Sequence, residues 1–180
     1  PVADLAEKLA EVTPGRLQKT FFGNGGAEAN EGAMRMAKQF TKRTEFIALQ
    51  GSFHGRSLAT LSITGNKDRK KGGGPYASGI SFHPSAYCYR CPYAMSYPAC
   101  DMYCAKQLER TIQFDTAGDV AAFIAETMMG EGGIIIPPKE YYKEIKKVLD
   151  KYGILLFLDE VQCGYGRSGK LFAVEHYDVE

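Results

Sequence analysis

The feature that most constrains the fold is a short apolar run near the end of the chain, Ile154-Leu155-Leu156-Phe157-Leu158. Five consecutive apolar residues lack the alternation of apolar and polar residues that a strand with one solvent-exposed face shows. The run is also far too short to cross a bilayer. Such a run is typical of a parallel strand inside a sheet that is covered on both faces. Two acids and an amide follow closely, as Asp159, Glu160 and Gln162.

Predicted strands and helices alternate along the rest of the chain. Strands are predicted at Lys19–Phe22, Phe46–Leu49, Ile80–Phe82, Val120–Ile124 and Ile154–Leu158. Helices are predicted through Leu5, Leu9 and Val12, and at Ala27–Phe40, Arg56–Ile63, Asp101–Phe114 and Lys139–Tyr152. The Tyr-, Pro- and Cys-rich segment His83–Cys100 has no periodicity, and we expect it to be ordered rather than a linker. This alternation predicts an α/β fold, with three layers and a mostly parallel sheet between helices on both faces.

Charge and composition exclude several classes of function. The 180 residues carry 22 basic and 21 acidic side chains, a net charge of +1, without a basic run. This balance gives no reason to expect nucleic acid or a membrane surface as a partner. Five cysteines, of which four lie close together, argue against a secreted disulfide scaffold, so we expect a cytoplasmic protein, although an organelle stays open. Neither end has a start or stop signal, and we expect a piece of a longer protein.

A glycine-rich turn, Gly23–Gly26, precedes the predicted helix Ala27–Phe40. Glycines let the backbone approach a ligand closely, and free amides at a helix N-terminus favour a phosphate. The dinucleotide fingerprint G-x-G-x-x-G fails here because Glu28 stands at the position of the third glycine. The alternative is a tight turn into a helix without a ligand.

Asp159 directly follows the apolar run and therefore lies at the carboxyl end of a strand, where open α/β sheets bind ligands. A carboxylate buried there needs a partner, and a protonated ring nitrogen would serve. The alternative is that Asp159 only caps the N-terminus of a following helix.

Two further groups of residues carry candidate chemistry. Phe53 in the turn before Gly55 can offer a flat face to a cofactor ring, but a buried core Phe beside an exposed His54 is the commoner meaning of such a pair. Glu126 and Glu131 lie around a turn after a buried strand. They can orient a substrate or pair with an arginine, or they can be solvated loop acids.

Together these motifs resemble a known family. Asn24 to Glu31 reads NGGAEANE, Phe53 to Arg56 reads FHGR, Gly130 to Gly133 reads GEGG, and Asp159 to Gln162 reads DEVQ, followed by GYGRSG at Gly164 to Gly169. Their order and spacing resemble those of class III aminotransferases, which are pyridoxal-phosphate enzymes of fold type I. The resemblance implies that residues 1–180 are the central part of the cofactor-binding large domain.

The resemblance also implies a role for individual residues. Gly26 and Ala27 match the pair that holds the cofactor phosphate, with Gly25 beside them where Ser or Thr is usual. Phe53 matches the residue stacked on the ring, with His54 beside it. By the same resemblance, Asp159 pairs with the ring nitrogen and Val161 packs on the opposite ring face. Gln162 lies near the ring hydroxyl, and Glu126 and Glu131 lie on the substrate side.

The activity implied by the resemblance is transamination at a homodimer interface, with pyridoxal 5'-phosphate as the cofactor. The stretch Tyr89–Tyr93 resembles a loop of the 4-aminobutyrate and alanine–glyoxylate branch, which implies an ω-amino donor and a 2-oxo acid acceptor. The Schiff-base lysine would fall about eight residues past Glu180, and the small C-terminal domain is absent too, so we expect the isolated piece to be inactive. A racemase, epimerase, aminomutase or decarboxylase on the same scaffold stays open.

The cysteine segment, residues 88–104, permits a different interpretation. Cys88, Cys91, Cys100 and Cys104 form a C-x-x-C…C-x-x-x-C pattern, which is a possible ligand set for zinc or an iron–sulfur cluster. Free or packed thiols are the alternative, because the second pair is spaced by three residues and opens a predicted helix. A non-catalytic metal-binding module is therefore the second alternative function.

Overall fold

A computed structural model describes residues 1–179 and contains seven α-helices, four β-strands and two short 3₁₀ helices within that range. The helices are α1 (Val2–Val12), α2 (Gly26–Thr41), α3 (Leu58–Ile63), α4 (Lys67–Lys70), α5 (Tyr103–Lys106), α6 (Leu108–Phe114) and α7 (Tyr141–Tyr152). The strands are β1 (Glu45–Leu49), β2 (Ile80–His83), β3 (Val120–Glu126) and β4 (Leu155–Asp159). The 3₁₀ helices are Cys88–Arg90 and Ala173–His176.

The four strands form one parallel sheet in the order β2-β1-β3-β4. In β3 every residue is buried, as expected for a strand paired on both sides in a sheet with two covered faces. Its last residue, Glu126, pairs in register with Asp159, the last residue of β4. The two acids therefore lie side by side at the carboxyl edge of the sheet.

Helices cover both faces of the sheet. On one face Phe46 and Ala48 of β1 pack with Met34 and Ala37 of α2. On the other face the intervening residues Ile47 and Leu49 belong to a core that α5, α6 and α7 complete. Successive side chains of a strand point to opposite faces, so one strand serves both cores. The predicted three-layer α/β fold is confirmed.

Chain order creates a crevice at the carboxyl edge of the sheet. The chain leaves β1 towards β2 and leaves β3 towards β4, so connections depart in opposite directions from two neighbouring strands. Such a switch point is where open α/β sheets bind ligands, because the diverging loops leave a cleft. The loops after β1, β3 and β4 border it, and most of the predicted site residues lie in these loops or at the last residues of β3 and β4.

Two sequence-based element predictions are wrong. Residues 19–22 form no strand, because no described strand lies beside them and Phe21 instead packs its ring against Gly32 of α2. The predicted helix Asp101–Phe114 is two helices, α5 and α6, and it begins late because Met102 has left-handed backbone angles (φ 52°). Across residues 1–179 no helix is both long and apolar enough to span a bilayer.

Candidate active site

Asp159 is the centre of the candidate site. Asp159 is the last residue of β4 and is only 5% exposed, and its carboxylate accepts three hydrogen bonds. Oδ2 accepts from Nδ2 of Asn30 at 2.8 Å and lies 2.9 Å from Nδ1 of His54, whereas Oδ1 accepts from the backbone amide of Val161 at 3.0 Å. These bonds connect β4 with α2 and with the loop after β1.

The hydrogen bonds around Asp159 keep its carboxylate ionised. Burial alone would raise the pKa of Asp159, but the bonds from His54, Val161 and Asn30 outweigh it and hold the pKa below its usual value. The capping alternative is right only in part. Asp159 does bind the amide two residues ahead, but turns rather than a helix follow it.

The start of α2 lies against the residues that follow β4. A Cβ atom on Gly26 would lie 2.9 Å from Cγ2 of Val161, so glycine at this position leaves room for the Val161 side chain. Gly25 faces open space, and no described residue accepts a hydrogen bond from the backbone amides of Gly26 or Ala27. The first turn of α2 therefore has free donors beside an open volume, as an anion site requires. No described strand precedes the glycine turn, in contrast to the predicted Lys19–Phe22.

The alternative without a ligand expected a buried Phe53 beside an exposed His54, and the structure shows the reverse. His54 is 2% exposed and lies on Asp159, whereas Phe53 is only partly buried, with the guanidinium groups of Arg56 and Arg69 at 5.4 and 6.0 Å from its ring centre. Gly55 follows with φ at 134°, and a Cβ on it would lie 2.8 Å from that of Ala27. This loop thus meets the start of α2.

Glu126 ties two loops of the cleft together. Its Oε1 accepts from the Phe53 amide at 2.8 Å and its Oε2 from the Gly130 amide at 2.9 Å. Burial raises the pKa of Glu126, although these two hydrogen bonds oppose the shift. Its carboxylate is thus occupied by backbone donors within the chain, and a substrate-side role stays a prediction.

Glu131 and Gln162 lie farther out on the same loops. Glu131 pairs with Arg69, which is the arginine partner that the sequence left open. Gln162 packs its amide so closely on Gly130 that a Cβ there would overlap it. Its predicted contact with a ring hydroxyl stays a prediction, as do the cofactor contacts of Gly25, Gly26, Ala27, Phe53, His54, Asp159 and Val161.

Sequence reasoning missed two residues that organise the site. Asn30 lies within the NGGAEANE motif, one helical turn after Gly26, and this spacing was the available signal that it faces the same way. Glu160 accepts from the amides of Ala173 and Val174, both at 2.7 Å, and from the Thr127 hydroxyl at 2.9 Å. It holds the later 3₁₀ helix against the end of β4, and its sequence position gave no sign of these distant partners.

A family model described as "Aminotransferase class-III" matches residues 1–180. The chain belongs to the class III aminotransferase family. The resemblance of the four motifs is thereby confirmed, and the parallel α/β architecture agrees with that of solved transaminases.

Three similar proteins place the chain within the family. A leucine/methionine racemase of Thermococcus litoralis is 39% identical over 177 residues, which are 98% of this chain and 40% of that protein. A putrescine aminotransferase of Pectobacterium atrosepticum is 40% identical over 179 residues, 98% of this chain and 35% of that protein. An amine transaminase structure from an uncultivated Pseudomonas species, in its PLP-bound form, superposes with a TM-score of 0.92 at 34% identity, covering 99% of this chain and 42% of that chain. The chain thus spans well under half the length of these relatives.

The cysteine segment lines a cavity whose walls include none of the residues around Asp159. All five cysteines of the chain are free thiols, and the four of the segment line one small apolar cavity of about 10 Å³, roughly the space for one water molecule. Burial raises the pKa of the Cys104 thiol to about 11. Over residues 1–179 no three His, Cys, Asp or Glu side chains are placed to hold a metal ion, so the geometry lends no support to the metal-binding module.

Proposed function

We propose that the whole protein is a pyridoxal-phosphate-dependent transaminase that moves an amino group from an ω-amino donor to a 2-oxo acid. Family membership supports the reaction class, and the PLP-bound relative supports the cofactor, pyridoxal 5'-phosphate. The relative that acts on putrescine supports an amine at the end of a carbon chain as donor. The observation that carries the proposal is a buried, ionised Asp159 beside the free amides of α2.

The residues present fit this cofactor. It needs an anion site for its phosphate and a carboxylate for its ring nitrogen, a few ångströms apart. Asn30, which contacts Asp159 directly, lies four residues after Gly26, or about 6 Å along the helix axis. One small, flat molecule can therefore reach both groups.

Each residue then has a defined task. The amides of Gly26 and Ala27 bind the phosphate, helped by the dipole of α2. Asp159 holds the proton on the ring nitrogen, since an adjacent carboxylate favours the charged form of that ring. Val161 and Phe53 orient the ring between them. Pyridoxal phosphate, when bound, supplies a protonated ring that accepts electrons from a bond broken at the substrate carbon.

Other parts of the whole protein complete the site in this proposal. The attachment lysine lies about eight residues past Glu180, and a small C-terminal domain follows it. Residues 1–180 are the central part of the large domain, inactive alone, and two full-length copies form a cytoplasmic homodimer. Glu126 and Glu131 border the substrate side, and small molecules rather than nucleic acid or membrane are the partners.

The experiment is an amino-transfer assay on the full-length protein with pyridoxal phosphate, 4-aminobutyrate or putrescine as donor, and pyruvate or 2-oxoglutarate as acceptor. We expect new amino acid to form in proportion to the donor consumed. Asp159→Asn should abolish most activity, whereas Asp101→Asn, at an exposed acid in a surface ion pair, should not. Failure of the wild type to bind pyridoxal phosphate would contradict the proposal.

The second candidate is a racemase, favoured by the similarity to the Thermococcus litoralis enzyme. It makes a different prediction, because a racemase needs no acceptor. Interconversion of L- and D-leucine or methionine without a 2-oxo acid, and without net amino transfer, would support the racemase and contradict the proposed transaminase activity. Chiral chromatography of the products separates the two.

A further inference from the structure

Asn30 uses both hydrogens of its side-chain amide. Nδ2 donates to Oδ2 of Asp159 and to the backbone carbonyl of His54, each at 2.8 Å, and the residue is 3% exposed. A buried amide whose hydrogens are both bound has one orientation, since the reverse would place its own oxygen against two acceptors. Asn30 therefore connects α2, β4 and the loop after β1 at one point.

The hydrogen bonds of His54 define where its proton lies. Nδ1 is 2.9 Å from Oδ2 of the ionised Asp159, which can only accept, so Nδ1 carries a hydrogen. Nε2 is fully buried and has no hydrogen-bond partner among residues 1–179. Asp159 is therefore the only partner that the His54 ring nitrogens have among the described residues, and the contact is made through Nδ1.

These contacts make the two oxygens of Asp159 unequal. An sp² oxygen accepts about two hydrogen bonds, and His54 and Asn30 fill both places on Oδ2. Oδ1 has one protein donor, the Val161 amide, and keeps one place free. Because both groups bind the same oxygen, they fix the orientation of the carboxylate.

We propose that Asn30 is a positioning residue that, together with the Nδ1–H group of His54, saturates Oδ2 of Asp159 and reserves Oδ1 for the ring nitrogen of the cofactor. The inference rests on the proposed function for the identity of that ring. Glu126 is the other carboxylate whose charge acts on this pair, and it is already bound by two backbone amides.

The first test needs no cofactor. Full-length apo-protein labelled with ¹⁵N-histidine is examined by two-bond ¹H–¹⁵N NMR at pH 7.5, and the His54 signals are assigned by their loss in His54→Gln. We expect a hydrogen on Nδ1 of His54. A bare Nδ1 overturns the inference whether or not the protein binds pyridoxal phosphate.

The second test separates donation from packing. Asn30→Ala removes the donor, and Asn30→Asp keeps the shape but replaces the donor with an acceptor. We expect Asn30→Ala to weaken pyridoxal-phosphate affinity, measured by absorbance titration, about tenfold, the equivalent of 1.4 kcal/mol. Asn30→Asp should bind well at pH 5.5, where the new acid is protonated and can donate, and progressively worse towards pH 8.5, because two adjacent carboxylates repel.

Thr111→Val is the matched control, because it removes a buried hydrogen bond to a different histidine, His83, at 2.9 Å. It should leave the affinity and its pH profile as in the wild type. Asn30→Asp that binds like the wild type at every pH, or Asn30→Ala that binds like the control, overturns the positioning role. Wild-type protein without any affinity overturns the proposed function, and the NMR result still decides the arrangement of protons.

Discussion

Replacing Asp159 with Asn keeps the size of the side chain but exchanges one acceptor for a donor. In the wild type, Oδ2 accepts from His54 and Asn30 and Oδ1 accepts from the Val161 amide. Whichever way the new amide turns, its NH₂ group meets at least one N–H donor. The better orientation points the NH₂ at Val161 and keeps the two bonds from His54 and Asn30, now as weaker neutral ones.

The structure sets the size of this effect. A lost hydrogen bond that leaves a buried donor unsatisfied costs about 1–3 kcal/mol, and the two remaining bonds lose the extra strength that a charged acceptor gives. We therefore expect Asp159→Asn to lower the free energy of unfolding of the full-length apo-protein by about 3 kcal/mol. Differential scanning calorimetry should show a Tm lower by several degrees, against no measurable change for Asp101→Asn at an exposed ion pair.

The dependence on pH makes this prediction refutable. Because the folded-state pKa of Asp159 is lowered from 3.8, its contribution is present above that value and is lost only as pH falls through the folded pKa. The Tm difference between wild type and Asp159→Asn should therefore be constant from pH 5 to pH 8. A difference that shrinks within this window, or a variant as stable as the wild type, would show that Asp159 is not held ionised by these bonds.

Three further predictions concern other parts of the fold. Gly65→Ala would drive its Cβ into the carbonyl oxygen of Leu49, so the full-length protein should unfold at lower urea concentration, with a loss of about 2–3 kcal/mol. Among the five thiols, Cys104 and Cys163 should be alkylated last by iodoacetamide at pH 8, followed by mass spectrometry, because they are the two buried cysteines and burial also raises the pKa of both. Elemental analysis of the purified protein should find zinc and iron far below one per chain, whereas stoichiometric metal that is needed for folding would restore the metal-binding module.

The sequence predicted well where a pattern is local. The continuous apolar run before Asp159 indicated a strand with two covered faces, and the stripe through Ala29, Ala33 and Ala37 indicated α2 almost to its ends. The position of Asp159 at a strand end followed from the same run. Periodicity and turn residues suffice for such features because neighbouring residues determine them.

The sequence predicted poorly where distant segments decide the outcome. The apolar residues at 19–22 look like a strand, but a strand needs a partner, and Phe21 finds a helix instead. The bonds from Asn30 and His54 to Asp159 join positions 129 and 105 residues apart in the chain. No local pattern encodes which amide or imidazole will contact a given carboxylate, so the two hydrogen bonds at Oδ2 of Asp159 could be identified only from the folded chain.

The buried strand β3 has a consequence for motion in the molecule. With all seven residues buried and partner strands on both sides, its amides should be among the last to exchange with deuterated solvent, close to the limit of global opening. Glu126, the last residue of this strand, accepts hydrogen bonds from the backbone amides of Phe53 and Gly130 in two loops. Because Glu126 fixes both loops where it binds them, any loop motion that admits a molecule to the cleft should be confined to the loop tips.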